Sequence, residues 1–203
     1  MAEIKALFWD VGGVLLTNAW DRTQRTTALK QFHLDEIEFH DRHEMVVSSL
    51  ERGKITFDEY LDRTVFYRPR PFSRNVFKEF IFSLSRPDDA SLAVARSIAK
   101  SGKYLMSTVN NESRELNAYR IQTFGLHDIF SLFVSSCYVG LRKPEPAIYK
   151  LALEITDRKP QECAFIDDRP LNLEAAQCLG MQTIEMKGAD QLRKELEKIG
   201  VLV

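Results

Sequence analysis

The sequence predicts an α/β protein: a doubly wound, Rossmann-like parallel sheet with an all-helical insertion. Three observations predict it. Short apolar runs recur between turn residues, amphipathic helical patterns separate them, and residues 18 to 87 break the alternation with helix starts and no strand.

In chain order, the strand candidates are residues 4–9, 104–107, 132–135, 163–166 and 182–186. Each is a run of about the length of a strand buried on both faces. The helix candidates between them are residues 88–100, 111–123, 145–156, 171–179 and 190–199, with Gly102, Gly180 and Gly200 placed as stops. Within the insertion, Asp35 with Glu38 and Thr56 with Glu59 have capping-box spacing, and Ser73 is a third N-cap. Gly53 ends the middle helix, residues 67–73 read as a loop, and residues 84–89 read as the return hinge. The expected organisation is a core of residues 1–17 and 88–203 with a helical cap of residues 18–87. An insert placed after the first strand lies over the carboxyl edge of the sheet, where ligands bind.

Composition narrows the function classes. The chain has 203 residues, 28 Lys and Arg against 29 Asp and Glu, and a formal net charge of -1. No basic field is available to gather nucleic acid or an anionic membrane. No run approaches the ~20 apolar residues of a membrane span, and the amino terminus, MAEIKALFWDVGGVLL, has Asp10 inside its apolar stretch where a signal peptide would have none. Cys137, Cys163 and Cys178 are odd in number and widely spaced, without zinc-ligand spacing. The expectation is a cytoplasmic protein working on a small molecule, with oligomeric state left open.

Four segments carry chemistry. FWDVGGVLLTN places Asp10 at a strand end before two glycines, where backbone N–H groups can turn toward an anion. Taken alone, Asp10 also fits a turn cap. YLMSTVNNESREL places Ser107 and Thr108 before a helix, where hydroxyls can hold a phosphate oxygen or cap the helix. GLRKPEPAIY sets Lys143 in a loop stiffened by Pro144 and Pro146, a place that also suits a solvated lysine. CAFIDDRPLNLEAA ends a strand in Asp167 and Asp168. Two carboxylates ~4 Å apart repel by about 4 kcal/mol at an effective dielectric near 20, so the pair points to a divalent cation.

In this order, the four segments resemble the four motifs of the haloacid dehalogenase superfamily, in its phosphatase-type subgroup with a helical cap after the first strand. The resemblance covers nearly the whole chain and implies a fold, a reaction and a cofactor. Asp10 would be the nucleophile that forms an aspartyl-phosphate. Mg2+ would be held by Asp10, the Gly12 carbonyl and Asp168, with Asp167 touching it directly or through water. Ser107, Thr108 and Lys143 would bind the phosphoryl group of a small phosphorylated metabolite, and Asn172 would support the paired acids.

The chain departs from that pattern at two positions. Where most such phosphatases carry a second Asp as general acid and base, this chain has Gly12, and general acid–base assistance is worth ~10² to 10⁴ in rate. Thr108 stands where many relatives carry Asn. Haloacid dehalogenases also lack the second Asp. They use no magnesium, however, so in them Asp167 and Asp168 would add repulsion to the nucleophile. A phosphate-binding or regulatory module without catalysis is the remaining alternative. Among other residues, Asp21 is a substitute acid, Trp20 and Arg22 should lie near the substrate, His40 and His43 read as a solvated helix face, and the phenylalanines from Phe66 to Phe82 read as cap packing.

Overall fold

The computed structural model describes residues 2–18 and 20–202. Strand β1 (Ala6–Trp9) leads into four consecutive helices, α1 (Arg22–Gln31), α2 (Glu36–Glu51), α3 (Phe57–Thr64) and α4 (Arg74–Ser83). Strands and helices then alternate: α5 (Asp89–Ser101), β2 (Leu105–Asn110), α6 (Arg114–Thr123), β3 (Leu132–Ser135), the single-turn α7 (Ser136–Val139) and α8 (Pro146–Thr156). The chain ends through β4 (Cys163–Asp167), α9 (Pro170–Cys178), β5 (Gln182–Glu185) and α10 (Ala189–Lys198). No described helix is long and apolar enough to cross a membrane.

All strand pairings are parallel, in the order β3-β2-β1-β4-β5. The order reverses at β1, and the crevice outside the carboxyl ends at such a reversal is where ligands bind in open α/β sheets. Asp10 follows β1 directly and Asp167 closes the adjacent β4, so the topology itself brings them together.

Every residue of β1 is buried because both faces are covered. Leu7 and Trp9 pack with Ile98 of α5 and with Leu192 and Leu196 of α10. Ala6 and Phe8 point the other way, onto Ile148 and Ala152 of α8 and Ala176 of α9. Helices α1 to α4 have a separate apolar cluster around Leu29, Phe57, Tyr60, Phe77 and Ile81. Phe66, Phe72, Phe80 and Phe82 pack against that cluster, as expected for cap packing.

Two short stretches connect the helical insert to the sheet. Thr17 N–H donates to Arg86 O at 2.9 Å and Asp88 N–H to Leu15 O at 2.9 Å, while the Thr17 hydroxyl donates to Leu84 O at 2.7 Å. Cross-links also hold the insert down over the sheet edge. Arg52 pairs with Glu145 and donates to Gly140 O at 2.8 Å, and the Phe57 N–H donates to Glu115 at 2.9 Å.

The structure corrects three readings of local sequence. Among the described residues the insert has four helices where three starts were legible, because α1 opens with the polar residues Arg22 to Thr27 and shows no apolar period before Ala28. Its N-cap is Asp21, which accepts from Gln24 N–H at 3.0 Å. Thr56 and Glu59 complete a reciprocal capping box, whereas the Glu38 carboxylate turns away from Asp35 and accepts from Arg68 at 3.0 Å. Strand β2 extends to Asn110, so α6 starts at Arg114 rather than 111.

Candidate active site

The loop from Asp10 to Gly13 forms the floor of the site. Val11 N–H donates to Asp10 Oδ1 at 2.7 Å, and the Asp10 N–H is anchored on Ile166 O at 2.8 Å. Gly13 has φ of 74°, and a β-carbon there would collide with the Asp168 carboxylate. Both the left-handed backbone and the close approach require glycine.

Lys143 is 2 % exposed, yet it carries a charge. Its ammonium lies 3.0 Å from Asp10 Oδ1 and 2.6 Å from Asp167 Oδ2, which makes the burial possible. Burial alone would lower its pKa, but the two carboxylates outweigh that and hold it above the ordinary lysine value. The loop carrying Lys143 is clamped by Asn111, whose amide donates to Lys143 O at 2.9 Å and accepts from its N–H at 2.8 Å.

Asp167 is fully buried and saturated with donors. Besides Lys143 it accepts from Arg169 N–H at 2.8 Å and from the Asn172 amide at 3.0 Å on each oxygen. Asn172 is held in turn by Tyr149, whose hydroxyl donates to its carbonyl at 2.9 Å. Asp168 differs: Oδ2 accepts from Asn18 at 3.1 Å, while Oδ1 is buried with no partner among the described residues.

Asp10, Asp167 and Asp168 each offer an oxygen within 4.8 Å of the others. Hard oxygen donors at this spacing, one of them an orphaned buried carboxylate oxygen, suit a small divalent cation. Burial raises the Asp10 pKa to about 7, opposed by Lys143 and reinforced by Asp167 and Asp168. A bound cation would compensate that crowding of negative charge.

Above this floor lies a cavity of about 590 Å³ between the sheet edge and the helical insert. Asp10, Gly12, Lys143 and Asn172 line its floor, and Trp20, Asp21 and Arg22 line the insert side as the sequence suggested. Ser107 and Thr108 do not line it. Both are fully buried inside β2, level with Phe8 and Trp9, and Ser107 Oγ donates to the neighbouring Thr108 O at 3.2 Å. The strand's true carboxyl end, Asn110 and Asn111, takes their place on the cavity wall. The signal for this was present in the run VNNES: a strand from Leu105 needs about six residues to reach the edge, and Ser113 is the helix N-cap.

His43 is a further correction. It is 3 % exposed and faces the cavity, because α2 is sandwiched between the insert's own core and the sheet edge. Burial, with Arg25 and His40 nearby, pushes its pKa down to about 3, so the imidazole is neutral. Sequence reasoning also missed Asn18, Arg25, Glu51, Glu112, Arg120 and Arg142, all on the cavity wall. Isolated polar residues on unrelated elements carry no spacing pattern that would group them.

A sequence profile described as "Hydrolase: haloacid dehalogenase-like hydrolase" matches residues 4–180. Bifunctional epoxide hydrolase 2 of Sus scrofa is 27% identical over 97% of the chain, which spans only 39% of that protein. A sesquiterpene phosphatase of Aspergillus oryzae is 25% identical over 96% of both chains. Among solved structures, a family enzyme of Bacteroides thetaiotaomicron in complex with magnesium and inorganic phosphate superposes with a TM-score of 0.75 and 26% identity, covering 91% of this chain and 94% of the other.

Proposed function

Because the chain belongs to the haloacid dehalogenase-like hydrolase family, we propose that it is a magnesium-dependent phosphatase that acts on small phosphorylated metabolites through an aspartyl-phosphate on Asp10. The observation that carries the proposal is the convergence of Asp10, Asp167 and Asp168 around one cation-sized space, with Lys143 bridging Asp10 and Asp167. The sesquiterpene phosphatase and the enzyme complexed with magnesium and phosphate support it. Residues 1–17 and 88–203 would serve as the catalytic core and residues 18–87 as a cap that selects substrates.

Val11 N–H and Lys143 both hold Asp10 Oδ1 in place. An Asp10 oxygen attacks phosphorus as the bond to the leaving oxygen breaks, and water then attacks the aspartyl-phosphate to release inorganic phosphate. Lys143 holds the phosphoryl oxygens and offsets their charge. Asp10, Asp168 and the Gly12 carbonyl would hold magnesium, which when bound would supply electrostatic stabilisation of the transferring group. Asp167 positions Lys143 and Asn172.

Gly12 provides no proton for the leaving oxygen, so leaving groups that bear negative charge well are favoured: aryl, anomeric-sugar and acyl phosphates. Hydrolysis of p-nitrophenyl phosphate with and without magnesium tests the reading, with Asp10→Asn as control. Magnesium-dependent turnover that Asp10→Asn abolishes is the expected result. Magnesium-dependent thermal stabilisation without turnover would instead identify a binding module, and metal-independent chloride release from 2-chloropropionate would identify a dehalogenase.

A further inference from the structure

The cavity wall carries more arginine than its acids can match. Arg120 is paired with Glu112 at 2.7 Å and Arg142 with Glu51 at 2.9 Å. Of the other two acids, Asp10 is paired with Lys143 at 3.0 Å and Asp21 commits Oδ1 to capping α1. Arg22, Arg25 and Arg169 have no carboxylate within salt-bridge distance among the described residues.

Arg25 is the informative one because it is half-buried and fixed. Its Nη1 donates to Trp20 O at 2.7 Å, while its Nε is buried without a partner among the described residues. A partly desolvated guanidinium whose hydrogen-bonded partner is a neutral carbonyl is unfavourable until an anion meets it. Beside it, the Trp20 indole N–H donates to the Tyr60 hydroxyl at 3.0 Å, and that hydroxyl lies 2.8 Å from His43 Nδ1. Since indole can only donate, the Tyr60 proton is free for Nδ1, which puts the imidazole proton on Nε2. Trp20 thus fixes two donors on the insert side of the cavity, the Arg25 guanidinium and the His43 Nε2–H.

Resting on the phosphatase reading above, we infer that Arg25 and His43 form a second anion subsite, and that the preferred phosphate monoesters carry a carboxylate or a second phosphate on their leaving portion. The transferring phosphoryl group is met by Lys143 on the floor, whereas α1 and α2 supply the second subsite from the insert. A cavity of about 590 Å³ has room for both ends of such a molecule.

Two matched pairs test this: 3-phosphoglycerate against glycerol 3-phosphate, and glucose 1,6-bisphosphate against glucose 1-phosphate. The expected result is a kcat/KM preference of about 10- to 100-fold for the doubly anionic member, the worth of a charge-assisted hydrogen bond. The first pair reports a carboxylate, the second a phosphate. Arg25→Gln should collapse the preference toward unity, Arg25→Lys should retain part of it, and His43→Gln should reduce it. Absence of preference in the wild type, or a preference unchanged in Arg25→Gln, would overturn the inference. If p-nitrophenyl phosphate is not turned over, the phosphatase reading has failed on its own. Calorimetric binding of the same pairs to wild type and Arg25→Gln then decides the subsite separately, by the same criterion of preference.

Discussion

The amide oxygen of Asn18 stands 2.6 Å from the point where a β-carbon on Gly12 would lie, and its amide nitrogen donates to Asp168 at 3.1 Å. Asn18 therefore fills the space that an acid–base side chain at position 12 would enter. Gly12 is not among the residues with left-handed backbone, so an aspartate there meets a side-chain tip rather than backbone strain. Gly12→Asp alone should fold but push Asn18 off Asp168, with only a modest gain in activity. Combined with Asn18→Ala, it should raise hydrolysis of an alkyl phosphate such as glycerol 3-phosphate by ~10², and that of aryl phosphates less. The dependence of kcat/KM on leaving-group pKa measures this. An unchanged slope in the double variant would show that another residue already delivers the proton.

The fold was legible in the sequence because strands buried on both faces read as apolar runs, and all five were located within three residues at each end. Asp10, Lys143 and the paired acids were legible for a related reason: each sits beside a strand end or a proline-stiffened loop that marks its position. Ser107 and Thr108 misled because hydroxyls inside a parallel strand look like hydroxyls at its end, and only the register against Phe8 and Trp9 separates the two. Arg25, His43 and Asn18 were illegible as a group. They come from α1, α2 and the loop before them, and only the folding of the insert over the sheet edge brings them to one cavity.

Metal-free stability should show an Asp10 signature with a definite sign. Burial raises the Asp10 pKa from 3.8 to about 7 in the native state. Between those values the folded protein binds more protons than the unfolded chain, so this group lowers stability as pH rises from about 4 to about 7, by ~4 kcal/mol at most. His43 acts in the opposite sense, since burial lowers its pKa from 6.5 to about 3 and stability rises with pH across that interval. The raw curve therefore mixes opposing contributions. The difference between wild type and Asp10→Asn isolates the carboxylate: in chelator, Asp10→Asn should gain relative stability toward pH 7 and level off above it. Magnesium requires the ionised carboxylate and should offset the wild-type deficit increasingly over the same interval. Parallel chelator curves for the two proteins would show that Asp10 titrates normally.

Adjacent in sequence, Asp167 and Asp168 should behave as opposites. Asp167 accepts from Lys143, Arg169 N–H and Asn172, and it is completely buried. In Asp167→Asn, Lys143 keeps only Asp10 as a counter-charge and a new N–H group faces donors, so metal-free stability should fall by about 3 to 5 kcal/mol. Asp168 is half-buried, its Oδ1 has no partner among the described residues, and its charge adds to the crowding at Asp10. Asp168→Asn should leave metal-free stability unchanged or slightly raised while losing most of the stabilisation that millimolar magnesium gives the wild type. Chemical denaturation in chelator and then in magnesium separates the two effects. An Asp168→Asn protein that is as unstable as Asp167→Asn without metal, or that keeps the full magnesium shift, would mean that Asp168 braces the fold instead of holding the cation.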